Sequence, residues 1–371
     1  MKRTIFIIMA LCVMFTPVSA KAISAESFIV VDADSGRVLY EENADAKMLI
    51  ASTTKIMTAL VAIEHGSLSD TVTVSDAAAG VEGSSMYLKA GDKIGLEQLL
   101  YGMLLVSGND AAAAVACHIA GDVDSFVELM NDKARELGMT NSSFANPHGL
   151  DDENHYSTAR DMAVLTRAAL DNQELAGILA TKTVTINGVT YKNHNKLLWM
   201  CDGVIGGKTG YTTAAGRTLV SCCEREGVRL ICVTLNDPDD WDDHMTLYDK
   251  AFAEYRPVTL VDSGESRELP VVGGDIDNAV VVPAEDVVVM MMEGESAEVK
   301  IELPQFVYGG FDEGETAGRI TVTVNGQPVK TVDLVYTQGS QRIEPKGNLI
   351  LEKLKEIVEK YLHSFDLGTE T

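Results

Sequence analysis

A serine stands one helical turn before a lysine in Ser52-Thr53-Thr54-Lys55, and this spacing constrains the chain more than any other feature. Residues i and i+3 share a helix face, so the lysine amine reaches the serine hydroxyl. The pair is a nucleophile with a built-in base. Two further strings follow in order, Ser107-Gly108-Asn109 and Lys208-Thr209-Gly210. Each string alone has an ordinary reading: an N-cap with a solvated lysine, a loop, a strand edge. All three in this order, on a helix start, an interhelical turn and a strand, are much harder to produce by chance. Ser52 opens an apolar helical pattern over 52–63 that ends at Gly66. Lys55 is therefore expected near the core, where burial disfavours its charged form. At a helix start the unpaired N–H groups also help a hydroxyl lose its proton.

The first residues predict export. Lys2 and Arg3 precede an apolar run over 5–15, and small residues follow at Val18-Ser19-Ala20 and Ala20-Lys21-Ala22. That is a signal peptide over 1–22, too short and too interrupted by Pro17 to span a bilayer. The rest of the 371 residues, 46% apolar and 23% charged, suits two folded domains. A formal charge of −25 excludes a nucleic-acid partner, which needs a basic footprint. Cys12 leaves with the signal, and Cys117, Cys201, Cys222, Cys223 and Cys232 remain. The odd number leaves at least one thiol free, and buried unpaired thiols are expected. No pair has zinc-site spacing, so no metal or other cofactor is expected.

Along the chain, a strand over 27–32, a turn at Asp34-Ser35-Gly36 and a return strand over 37–40 come first. Helical patterns cover 96–120, broken at Ser107-Gly108-Asn109, then 124–137, stopped by Gly138, and a stretch from Thr158 to about 170. Asn146-Pro147-His148-Gly149 reads as a loop. Strands over 183–186 and 189–191 flank Asn187-Gly188, a hairpin signal. Strands over 217–223 and 228–235 flank Glu226-Gly227, and a closing helix covers 247–255. This order predicts an α+β region, an antiparallel sheet flanked by helices, with the first and last strands sharing it. Adjacent Cys222 and Cys223 point to opposite faces of it. Residues 260–340 alternate valines with Gly, Pro and Asp and predict a small all-β domain. An amphipathic helix over 345–366 ends the chain, with Ile350, Leu354, Ile357, Tyr361 and Phe365 on one stripe. A membrane surface is its expected partner, docking on the β domain or self-association the alternative.

With these motifs in place, the chain resembles the low-molecular-weight penicillin-binding proteins, serine-type D-alanyl-D-alanine carboxypeptidases of the peptidase S11 kind. The likeness extends to Gly83-Ser84-Ser85-Met86-Tyr87-Leu88, to Leu104-Leu105-Val106 and Asp110-Ala111-Ala112 around the second string, to Asn146-Pro147-His148-Gly149-Leu150 and to Asn193-His194-Asn195-Lys196-Leu197. The resemblance implies a β-lactamase/transpeptidase-like catalytic domain over 23–257 and a substrate, the peptidoglycan stem peptide ending in D-Ala-D-Ala. It implies that Ser52 attacks the carbonyl between the alanines and that Lys55 takes its proton. Ser107 relays a proton to the leaving amine, Lys208 supplies positive field, and Asn109 holds a substrate amide. The backbone N–H groups of Ser52 and Tyr211 form the oxyanion hole, Thr209 binds the terminal carboxylate, and Gly210 admits the substrate backbone. β-Lactam antibiotics acylate Ser52 and stay. The resemblance also implies an arginine near the strand after Lys-Thr-Gly that reads the carboxylate. Residues 236–243 hold none, and Arg217 or His244 is left for that task.

Two rival readings share the triplet. A β-lactamase needs a fast deacylating base, which no motif identifies. A catalytically inactive wall-binding module does not need the intact triplet.

Overall fold

The computed structural model describes residues 22–343 and the two helical positions Lys355 and Val358. The signal-peptide expectation and, those two positions apart, the terminal amphipathic helix lie outside the described residues.

Strand β1 (Ser27–Asp32) is buried at all six positions, and β2 (Val38–Glu42) returns beside it. Between them Gly36 takes a φ of +74°, and a Cβ there would stand 2.5 Å from Arg167 Nη1. A one-turn 3-10 helix, Ala51–Thr54, runs straight into α1 (Lys55–His65), which stops at Gly66. Ser52 thus sits in the 3-10 turn, not in the first α turn.

A small hairpin of β3 (Thr71–Thr73) and β4 (Lys93–Gly95) encloses the short α2 (Asp76–Ala79). Helices α3 (Leu96–Leu105) and α4 (Asn109–Ala120) are split where Ser107 takes a φ of +64°. Asp122 caps α5 (Val123–Glu136), Thr158 caps α6 (Ala159–Asp171), and Asn172 caps α7 (Gln173–Ala180). In each cap a side-chain oxygen accepts from an otherwise unpaired N–H.

The hairpin β5 (Thr183–Ile186) and β6 (Val189–Lys192) turns at Asn187-Gly188, as its sequence predicts. The four-residue α8 (Leu197–Met200) leads into β7 (Val204–Thr212), β8 (Gly216–Arg225) and β9 (Val228–Leu235). The sheet has the order β2-β1-β9-β8-β7, so the first and last strands of the region do share it. One face carries the larger core, with Ile29, Val31, Val220, Cys222 and Ile231 against α1, α3, α4 and α6. The other carries Val30, Leu219, Cys223 and Leu230 against α9 (Asp240–Glu254). Cys222 and Cys223 fall on opposite faces, as strand alternation requires. All five cysteines outside the first residues are unpaired thiols.

Helix α9 starts seven residues before the predicted 247. Asp240, Asp242 and Asp243 fill its first turn, where the helix dipole favours acids. Their charge masked the helix in an apolar-periodicity reading. The β3/β4 hairpin and α7 were likewise not predicted, being too short to show a period.

Beyond α9, β10 (Tyr255–Val261) gives way to a second, β-only region. Its other strands are β11 (Arg267–Val272), β12 (Asn278–Pro283), β13 (Val287–Met292), β14 (Ala297–Glu302), β15 (Val307–Tyr308), β16 (Thr316–Val324) and β17 (Gln327–Tyr336). β10 pairs with β13, and the other six form one sheet in the order β14-β16-β17-β12-β11-β15. Val281, Val289, Phe311, Val322, Leu334 and Tyr336 form its core. Arg37 bonds to Met290 O and to Glu295 across the junction, and Tyr255 Oη donates to Leu39 O at 2.9 Å.

Candidate active site

The chain must bend sharply to present Ser52. Ala51 takes a φ of +46° beside Gly149, where a Cβ would lie 1.9 Å from Ala51 O. Only glycine allows that approach. Thr218 Oγ1 and Thr53 Oγ1 both donate to Ile50 O, at 3.0 and 2.6 Å. Thr54 Oγ1 donates to Ala51 O at 2.7 Å and lies 2.7 Å from His155 Nε2. His155 Nδ1 accepts from Ala145 N at 3.0 Å, so its proton sits on Nε2 and points at Thr54. Burial, more than any charge, holds His155 down at about 4, which keeps it neutral.

Lys55 is fully buried, and its amine has three neighbours. Nζ lies 2.9 Å from Ser52 Oγ, 2.7 Å from Asn109 Oδ1 and 2.5 Å from His148 O. Burial lowers its pKa well below the ordinary lysine range, and the nearby Lys208 pushes the same way against Asp110. Two of the neighbours are carbonyl oxygens, which only accept. A neutral Lys55 gives its two N–H bonds to them and turns its lone pair to the Ser52 hydroxyl.

Ser107 holds the left-handed turn between α3 and α4, and its hydroxyl accepts from Lys208 Nζ at 3.1 Å. Lys208 also donates to Thr209 O at 2.6 Å, and desolvation brings it down to about 7. Asn109 is engaged at both ends of its amide, since Nδ2 donates to Glu82 O at 2.6 Å. Its side chain therefore orients Lys55, and the expected grip on a substrate amide would require one of these bonds to open. Buried Asp110 ties down the loop of the Gly83-to-Leu88 string, accepting from Ser85 Oγ, Met86 N and Leu88 N at 2.6, 2.9 and 3.0 Å.

β7 is the outer strand of the sheet and faces this cluster. A Cβ on Gly210 would stand 2.9 Å from Ser52 N and 2.3 Å from Thr218 Oγ1. Glycine is thus needed for the strand to reach the nucleophile. Thr209, Gly210 and Tyr211 line a cavity of about 860 Å³ with Ser52, Ser107 and Arg217. Arg217 pairs with Tyr211 across the strands, holds both Asp240 oxygens at 2.8 Å and lies over the Trp241 ring at 5.3 Å. His244, the alternative to Arg217, is fully buried between Ser221 Oγ at 2.7 Å and Thr234 Oγ1 at 3.1 Å. It does not reach the cleft, and that alternative falls. Sequence reasoning also missed the His148 carbonyl and Asp240, which act through position alone and carry no motif. Among the described residues no group of three or more His, Cys, Asp or Glu is placed to hold a metal.

A nucleophilic serine against a buried lysine, with a Ser-Gly-Asn turn and a Lys-Thr-Gly edge strand, defines a serine acyl-transfer site. The chain belongs to the D-alanyl-D-alanine carboxypeptidase family, whose model matches residues 14–239. Residues 255–342 match the C-terminal domain of penicillin-binding protein 5. It is 31% identical to the D-alanyl-D-alanine carboxypeptidase DacF of Bacillus subtilis over 83% of this chain and 84% of that one. It is 33% identical to DacA of Escherichia coli K12 over 92% and 89%. Penicillin-binding protein 5 of Haemophilus influenzae superposes with a TM-score of 0.74 at 30% identity, covering 88% of this chain and all (100%) of that one.

Proposed function

We infer that the chain hydrolyses the terminal D-Ala-D-Ala bond of peptidoglycan stem peptides through an acyl-enzyme on Ser52. The observation that carries this is the fully buried Lys55 amine, 2.9 Å from Ser52 Oγ, with Asn109 Oδ1 and His148 O as its other neighbours. Ser52 Oγ attacks the carbonyl carbon between the alanines, and its proton passes to Lys55 Nζ. The N–H groups of Ser52 and Tyr211 hold the oxyanion. The C–N bond breaks as the leaving amine takes a proton through Ser107, in the field of Lys208. Thr209 and Arg217 hold the terminal carboxylate, a charge-assisted contact. Water then cleaves the ester, returns Ser52 its proton and frees the shortened peptide. A penicillin opens on Ser52 in the same way, but its leaving nitrogen stays tethered.

Among the described residues lining the cavity none is Asp or Glu. This supports a carboxypeptidase over a β-lactamase with a carboxylate for deacylation. Fluorescent penicillin labelling of Ser52, paired with D-alanine release from a D-Ala-D-Ala peptide, tests the reading. Labelling without release, or rapid nitrocefin turnover, would reject it.

We also propose that the enzyme is exported and works on the outer face of the cytoplasmic membrane, attached through residues 345–366. The export pattern over 1–22 and membership of the D-alanyl-D-alanine carboxypeptidase family support this reading. No helix among the described residues is long and apolar enough to cross a membrane.

A further inference from the structure

Two of the unpaired thiols meet outside the acyl-transfer site. Cys201 ends α8, its N–H donating to Leu197 O at 3.0 Å, and Cys223 sits in β8 on the face that packs against α9. The short link from α8 to β7 brings them together. Gly203 turns that link with a φ of +85°, and a Cβ there would stand 2.5 Å from Glu224 O and 3.1 Å from Cys223 Sγ. Glycine is what lets the turn close over Cys223. Glu224 N donates to Gly203 O at 2.7 Å, where β7 begins to run beside β8. Both sulfurs then share one acceptor, Asp202 O, which lies 3.8 Å from Cys201 Sγ and 3.5 Å from Cys223 Sγ. The two thiols are also hydrogen-bonded to each other. Cys222 faces the opposite core, and Cys232 lies across from Ser221 on β9.

The two sulfurs are not equivalent. Cys201 is 8% exposed and Cys223 0%. Arg225 Nη2 lies 3.7 Å from Cys201 Sγ. That guanidinium is held in place, since Nη1 donates to Asp249 Oδ1 at 2.8 Å, Nε donates to Asp202 O at 3.3 Å and Cζ stands 4.9 Å from the centre of the Phe252 ring. A fixed cation beside a thiol favours its thiolate. The hydrogen bond from Cys223, and after it Arg225, hold the Cys201 thiol below its ordinary value. The same hydrogen bond and burial push the Cys223 thiol up. A reachable thiolate beside a protonated, buried partner is the arrangement of an attacking and a resolving thiol.

We propose that Cys201 and Cys223 form a reactive dithiol, which reduces a small-molecule disulfide and closes to an intramolecular disulfide. The Cys201 thiolate attacks one sulfur of the small molecule, and its S–S bond breaks. One half leaves as a thiolate and takes up a proton, and the other stays on Cys201 as a mixed disulfide. Cys223 loses its proton and attacks the Cys201 sulfur, which expels the second half as a thiol. The protein gives up two electrons and two protons, and the small molecule gains both. The closed bond ties the end of α8 to β8, and Trp199 and Met200 of α8 line the large cavity beside Ser52. The inference does not depend on the hydrolase reading.

The full-length enzyme, incubated with glutathione disulfide and then alkylated, denatured and digested without reductant, tests this by mass spectrometry. The peptides carrying Cys201 and Cys223 should appear joined, two thiols should be lost to alkylation, and dithiothreitol should restore both. Tm should rise by a few degrees on oxidation and return on reduction. Cys223→Ser removes the resolving thiol, so the reaction should stop at a glutathione adduct on Cys201. Cys201→Ser leaves only the buried sulfur, and Cys223 should stay unmodified. An unmodified enzyme that keeps both thiols alkylatable, that holds a lasting glutathione adduct on Cys201, or that joins either cysteine to Cys222 or Cys232 would overturn the proposal, whether or not the variants fold.

Discussion

Lys208 Nζ donates to Ser107 Oγ at 3.1 Å, across 101 positions of sequence, and links the edge strand to the turn between α3 and α4. The lysine is fully desolvated and titrates near 7. In the proposed mechanism its charged form supplies the field at the leaving group, so activity should fall as pH rises through about 7. Lys208→Arg keeps its charge in this range. Its alkaline limb should move up by more than a unit, as measured by kcat/KM against pH. An unmoved limb would assign that titration elsewhere.

Ser52→Ala removes the only hydroxyl that faces Lys55 Nζ among the amine's partners. D-Alanine release should fall by about a millionfold, the scale seen when a serine hydrolase loses its nucleophile. Covalent penicillin labelling should vanish. Mass spectrometry of the penicillin-treated variant checks this, and an adduct at another residue would displace Ser52.

Asn109→Asp puts a carboxylate where an amide oxygen now lies 2.7 Å from Lys55 Nζ. An anion at that distance favours the ammonium and raises its pKa by ~1–3 units. Lys55 then stays protonated to higher pH. The acid limb of acylation should move up, and the rate at neutral pH should drop at least tenfold while alkaline pH restores part of it. Loss independent of pH would indicate a packing defect instead.

Arg217→Ala should raise KM for a D-Ala-D-Ala peptide more than it slows acylation by an uncharged ester. A charge-assisted hydrogen bond contributes on the order of 1.5–3 kcal/mol. The Arg217 side chain is 39% exposed, which places the effect at the lower end, about tenfold in KM. The variant also strands Asp240, which is 2% exposed, so Tm should fall by a few degrees. Equal losses on both substrates would make the Arg217–Asp240 pair structural.

Deletion from Pro345 onward should release the enzyme from lipid vesicles without changing D-alanine release from a soluble peptide. The apolar stripe on residues 350–365 offers roughly 1.5–3 kcal/mol per large side chain at full burial, less at an interface. Vesicle flotation of the full-length and shortened proteins decides it. A full-length protein that stays in the soluble fraction would return the helix to the protein's own surface.

Local spacing determined much of this protein before any coordinates. Ser52 and Lys55 meet because residues three apart share a helical turn, and they do so even in a 3-10 turn. Asn187-Gly188 turns a hairpin because both residues tolerate positive φ. Cys222 and Cys223 part to opposite faces because a strand has a period of two. Each of these follows from the backbone within a few residues. The tertiary structure alone decided which distant groups complete the site. His148 reaches Lys55 through a backbone carbonyl, which every residue has and no motif marks. Arg217 and His244 both suited a carboxylate in the sequence, and only the pairing of β7 with β8 aims one at the cleft while α9 buries the other. Asp240 was legible as charge but not as a partner, since its role depends on where the first turn of α9 packs. Short-range sterics fix periodicity and turns. The meeting of remote side chains depends on register and packing, which involve the whole core at once.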